Sequence, residues 1–151
     1  MTKNQSQKDI RQPTHSCDPT SFDEMTLRFQ FDILDFSHEL WGWETLTKEQ
    51  HIHFLKFVNS IEKLTWSEIK ATAGGKSHGT NHHSLEIANF AKIAQKRLQE
   101  LNLDRIAGDT LFSLRINNLT RVYGVREEEF FRPIWHDPFH DQPNKAAYPI
   151  S

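Results

Sequence analysis

The stretch from Leu111 to His140, LFSLRINNLTRVYGVREEEFFRPIWHDPFH, decides how this chain is read. Phe112, Leu114 and Ile116 alternate with Ser113 and Arg115, the period of a half-buried strand. Asn117-Asn118 then gives a turn signal, because Asn tolerates the positive φ of a two-residue hairpin turn. In the next run Arg121, Tyr123 and Val125 share one face, and Val122 and Gly124 share the other. Glu127-Glu128 marks a second turn through the hydrophobic runs on either side. A third strand is expected around Glu129 to Trp135. Its Pro133 cannot donate to a ladder, which puts the strand at an edge or ends it there.

Upstream, Leu27, Phe29, Phe31 and Ile33 alternate with Arg28, Gln30 and Asp32, so Thr26 to Phe36 reads as a strand. Its phase slips at Leu34 and Phe36, which points to a bulge or to the strand's end. Gly42 between Trp41 and Trp43 marks a turn with large aromatic area. Those two rings either pack as a lid over the core or form a stacking platform for bases. Thr47-Lys48-Glu49-Gln50 is a capping box, and a helix over about Lys48 to Lys63 follows, with Ile52, Leu55, Val58 and Ile61 as its stripe and Phe54 and Phe57 widening it. Thr65-Trp66-Ser67-Glu68 is a second box, opening a short helix to about Ala71. The segment with His78, His82 and His83 reads as a polar loop. Leu85 to Leu101 gives another amphipathic pattern, with Asn89 as a cap if Leu85 to Ile87 are extended. After the third strand, Asp137-Pro138 and Gln142-Pro143 enforce a turned tail that Tyr148 packs back onto the domain.

The expected fold class is α+β. It is an antiparallel sheet of the N-terminal strand plus a C-terminal three-strand meander, with two to three helices packed on one face. Residues 1–22 are polar, punctuated by Pro13 and Pro19, and read as a disordered tail; residues 23–151 read as one domain. Eleven Phe and four Trp argue for a packed core, although hydrophobic residues make up only 36% of the chain. A net charge of −2 excludes a general electrostatic trap for nucleic acid, yet five of the eight Arg fall in or beside the strand region. Cys17 alone excludes an internal disulfide. The polar N-terminus carries no apolar signal core and no run approaches a membrane span, so a cytoplasmic location without membrane contact is expected.

The strand–helices–meander order, and the stretch Leu111 to His140 within it, resemble the compact bacterial toxins of the RelE/ParE superfamily. In those toxins an Arg precedes a strand reading roughly R-V-x-Y, a hairpin follows, and the last strand leads to a His-containing end. Trp135 to His140 also resembles a Trp-x-Asp-Pro-x-His pattern of small uncharacterised bacterial proteins, which implies no activity. The chain departs from the toxins in its acidic balance and in the length of Gly74 to Ser84. The toxin resemblance implies a metal-independent endoribonuclease of the mRNA interferase type. Its partners would be RNA, free or ribosome-bound, and an antitoxin-like protein.

Metal-independent RNA cleavage needs a base for the 2′-hydroxyl, cations for the developing charge and an acid for the leaving oxygen. Histidine suits the proton steps and arginine the phosphate. The expected catalytic set is therefore His140 and Arg121, then His38 and Arg115. Arg126, Tyr123, His136 and Trp41 are the expected substrate-binding groups, and no metal or cofactor is called for. Two other readings stand beside this one. The first is a non-catalytic protein-binding module using the Trp41/Trp43 patch. The second is a metal-dependent hydrolase drawing on His136, His140, Asp141 and a loop histidine, although Pro138 argues against the helix that a four-residue His spacing needs.

Overall fold

The computed structural model describes residues 19–72 and 82–149. Its sheet has five strands: β1 (Arg28–Phe29), β2 (His83–Glu86), β3 (Thr110–Arg115), β4 (Arg121–Glu127) and β5 (Phe130–Asp137). They lie in the order β1-β5-β4-β3-β2. All pairs are antiparallel except β1 with β5, which is parallel. Four helices complete the α+β fold: α1 (Lys48–Ile61), α2 (Trp66–Ala71), α3 (Lys92–Glu100) and α4 (Asp104–Ala107). The expected tail lies mostly outside the described residues. Pro19–Glu24 forms a 3-10 helix.

Both capping boxes form. Thr47 accepts from the Gln50 amide while the Gln50 side chain accepts from Thr47, and Thr65 and Glu68 repeat the exchange. The buried stripe of α1 is the expected one except at Ile52 and Leu55. Phe54 and Ile61 are buried with Phe57 and Val58 packed beside them, whereas Ile52 and Leu55 are exposed. The larger aromatic side chains take the sheet-facing side, which turns Ile52 and Leu55 outward. The amphipathic pattern from Leu85 splits into β2, a 3-10 turn over Ile87–Asn89, and α3, which starts at Lys92 without a side-chain cap at Ala91.

The sheet separates two apolar layers. On one face α1 and α2 pack Phe54, Ile61, Trp66 and Ile69 against Phe112, Leu114, Val122 and Phe131. On the other, α3 packs Ala94 and Leu98 against Leu111, Tyr123, Val125, Ile134 and Trp135. Two helices thus share one face as expected, and α3 covers the second.

The meander forms with three departures from its expected details. The first connection closes through Ile116 N–H to Thr120 O at 3.0 Å, so three residues bridge the strands rather than two. The Asn117 side chain accepts from the Leu119 and Thr120 amides and builds that loop. The second turn is Glu128-Glu129, one residue later than expected, with Glu128 at φ 60°. Thr26 to Phe36 pairs only briefly. Gln30 reaches Phe131 and Asp35 reaches Ile134, so five residues advance against three and the excess bows outward.

Pro133 is not at an edge, because β5 lies between β1 and β4. A bulge accommodates it: Tyr123 faces Trp135 while Gly124 faces Pro133, leaving Ile134 as the extra residue. One inserted residue reverses the alternation, and everything after it on β5 changes face. Gly124 is what lets the strands close there. A Cβ at that position would lie 2.3 Å from the Arg132 carbonyl oxygen and 2.8 Å from the Phe131 ring. Gly124→Ala should therefore cost about 2–3 kcal/mol through overpacking. Urea unfolding checks this, and a loss under about 0.5 kcal/mol, the range of a neutral surface change, would contradict the bulge geometry.

Candidate functional site

The ladder registers place polar residues in rows on the α3 face. His83 faces Ser113 and Ser113 faces Tyr123; one step along, Arg115 faces Arg121 and Arg121 faces Asp137. Opposed residues in an antiparallel ladder point to the same side. Where α3 stops covering this face a cavity of about 230 Å³ remains. Its walls are His83, Leu85, Ser113, Arg121, Tyr123 and Tyr148, with His140 entering from the loop after β5.

Each group has a definite electrostatic condition. His140 is half-buried; its Nδ1 is shielded from solvent and has no hydrogen-bond partner among the described residues. Burial first, then the charges of Arg121 and Arg115, hold its pKa below the ordinary imidazole value. The ring is therefore largely neutral at pH 7 and can accept a proton. Burial also presses down the pKa of Arg121, but a guanidinium stays charged at working pH. Its Nη1 donates to the carbonyls of Asn117 and Thr120, at 2.7 and 3.2 Å. Arg115 donates to the Asn118 side chain from the same loop. Burial raises the Tyr123 phenol well above its usual range, so it remains a donor.

Of the expected site, the structure thus gathers His140, Arg121 and Tyr123, with Arg115 beside them. The other four lie elsewhere. His38 borders a separate depression with Glu39, Lys96 and Arg97. It stacks on Trp41 at 4.2 Å, and its Nδ1 accepts from the Leu40 and Trp41 amides. The chain before it leaves the sheet after Asp35, so His38 never reaches the meander's polar rows. Trp41 has no exposed surface; its Nε1 donates to Lys145 O, and it serves as core rather than as a platform for bases. Arg126 lies roughly 17 Å along β4 from Arg121. There it pairs with Asp23 at 2.7 Å and covers the Trp66 ring at 4.1 Å. His136 alternates to the α1 face, buried beside Trp43 at 5.6 Å, so it cannot join His140 at a substrate or a metal.

Four residues of this region escaped the sequence reading of the site. His83 and Ser113 come together through β2, a strand whose four residues alternate too briefly to stand out from a polar loop. Tyr148 was placed only as packing, and it does pack, edge-on to Phe90 at 5.0 Å. Asp137 is fully buried and accepts from the Phe139 and Ala147 amides, each at 2.8 Å. His82, the neighbour of His83, is buried on the opposite face, where its Nδ1 accepts from the Arg115 amide. His78 lies outside the described residues.

Neither a protein-family model, nor a curated protein, nor a solved structure matches this chain. Among the described residues, no three His, Cys, Asp or Glu side chains are grouped so as to hold a metal ion. No described helix is long and apolar enough to cross a membrane.

The buried histidines make stability depend on pH. Desolvation lowers the pKa values of His82 and His136 from 6.5 to about 4. The unfolded chain therefore takes up these protons first, and stability present above pH 6.5 is lost as pH falls toward 4. The loss is about 3 kcal/mol for each ring. Asp137 acts in the opposite sense. Burial raises its carboxyl from 3.8 to about 6, so its charged form weakens the fold as pH rises through that interval. The balance leaves roughly one ring's loss between pH 7 and 4. Urea unfolding at pH 7, 5 and 4 measures it; equal stability at all three would show that these rings are not held neutral.

Proposed function

We propose that the cavity binds an RNA phosphodiester and cleaves it without a metal ion, by attack of the neighbouring 2′-hydroxyl. The observation that carries this reading is the meeting of two imidazoles, His140 and His83, with Arg121 in one recess. At about 230 Å³ the recess is smaller than the roughly 300–1,000 Å³ of pockets that enclose whole drug-sized ligands. It suits a phosphate and its ribose, with the base left outside.

His140, neutral at pH 7, takes the proton of the 2′-hydroxyl. The 2′-oxygen forms its bond to phosphorus, and the bond to the 5′-oxygen breaks. His83 serves as the acid and gives a proton to that leaving oxygen. The products are a 2′,3′-cyclic phosphate and a 5′-hydroxyl end. Arg121 and Arg115 stabilise the charge on the non-bridging oxygens, and the Tyr123 phenol orients the phosphate. The chain's net charge of −2 provides no general attraction, so binding relies on this local pair of guanidinium groups. In the toxin-like setting the cavity acts on cytoplasmic RNA, including RNA held on ribosomes, until an antitoxin-like partner covers it.

Purified protein incubated with RNA and excess chelator should produce cyclic phosphate ends. His140→Ala should slow cleavage by about 10²–10⁴-fold, and Arg121→Ala by about 10²–10³-fold. His38→Ala should leave the rate unchanged. Intact RNA from the wild-type protein, with ribosomes present, would refute the proposal, as would cleavage abolished by chelator.

A further inference from the structure

The loop that brings His140 to the cavity runs from Pro138 to Ala147 and has no regular secondary structure. Its ends meet at one side chain. Asp137 Oδ1 accepts from the Phe139 amide, and Oδ2 accepts from the Ala147 amide ten residues away. The carboxylate is completely buried. It lies on the cavity face only because the bulge at Ile134 reversed the alternation of β5. Further bonds spread from this closure. His140 N–H donates to Leu119 O, Trp41 Nε1 to Lys145 O, and Ala91 N–H to Ala147 O.

We infer that Asp137 is a positioning residue for His140: its carboxylate ties both ends of the loop to β5 and so fixes the imidazole over the cavity. An apolar residue would leave two buried amides without acceptors, and an asparagine can accept only one of them. Burial pushes the Asp137 pKa up to about 6, while the two amide hydrogen bonds and Arg121 oppose that rise. The charged and titratable groups acting on it are Arg121 and Tyr123 of β4, while the loop reaches it through backbone N–H groups. Asp137 touches no substrate, so its effect should appear in the rate of the chemical step and not in binding. This role rests on the nuclease reading for its catalytic consequence, but not for its geometry.

The full-length chain, wild type and Asp137→Asn, is compared in two ways. In the RNA assay the variant should lose about 10²-fold in kcat, as expected for a misplaced base, with KM nearly unchanged because Arg115 and Arg121 stay in place. A loss confined to KM, or unchanged kinetics, would overturn the inference. By NMR, the variant should shift the Phe139, Ala147 and His140 signals, including the His140 ring, while amides of β3 stay put; an unmoved His140 ring would overturn it. If wild type cuts no RNA, the nuclease reading fails, and the NMR comparison alone decides the role of Asp137. If the variant does not fold, wild type is titrated instead. Protonation of Asp137 should then move the Phe139 and Ala147 amides together and lower their protection from hydrogen exchange, measured against the intrinsic rate at the same pH, about tenfold, the cost of one lost hydrogen bond. Independent behaviour of the two amides would overturn the inference.

Discussion

The antiparallel register of β3, β4 and β5 is the constraint from which the rest of the molecule follows. It opposes Ser113 to Tyr123 and Arg115 to Arg121, and across the bulge it opposes Arg121 to Asp137. Side chains on a ladder alternate with a period of two, so a slip of one residue would carry every polar group of a strand through the sheet. The bulge at Ile134 is such a slip, built in at one point. Before it, Phe131 belongs to the layer under α1 and α2; after it, Trp135 belongs to the layer under α3. Gly124 and Pro133 make the bulge sterically possible and leave no easy alternative register.

Energetically the fold is secured away from the cavity. Both faces of the sheet are aromatic, with Trp66, Phe112 and Phe131 on one side and Trp41, Phe90 and Trp135 on the other. Asp35 is buried and accepts two hydrogen bonds from the Arg97 guanidinium and a third from Trp135 Nε1, which ties the chain after β1 to α3 and β5 together. Those bonds stabilise its charged form against the cost of burial, and its pKa falls below the usual carboxylate value. Asp137 has backbone partners and a more distant guanidinium, and its pKa rises. Two buried aspartates, Asp35 and Asp137, thus have opposite electrostatic fates, decided by whether an arginine is in bonding contact.

How far the sequence could be read follows from the range of the signals. Capping boxes are local, and Thr47-Gln50 and Thr65-Glu68 fall where their spacing places them. The meander is nearly local, and its strands form with turns displaced by a residue. What escaped depends on partners far along the chain. Whether Thr26 to Phe36 stays on the sheet depends on how β5 bends, and the bulge there is visible in the sequence only as Pro133. The strand β2 is four residues long, and its pairing with β3 is what turns His83 from a loop residue into a cavity wall. His136 and His140 looked equivalent in the sequence. Alternation sends one to the core under α1, and the loop closed by Asp137 brings the other to the opposite face. Trp41 and Trp43 could not be assigned from neighbours, because both indole N–H groups find acceptors about a hundred residues away.

The proposed nuclease activity requires that one recess, not the depression beside His38, receive a phosphate and its sugar. Chemical-shift mapping with a dinucleotide that lacks the attacking 2′-hydroxyl, and so cannot be cut, measures this directly. Saturable shifts are expected at His83, Ser113, Arg121, Tyr123 and His140, with His38 and Arg97 unmoved. Shifts centred on His38 and Arg97, or no shifts at the recess with saturating ligand, would contradict it.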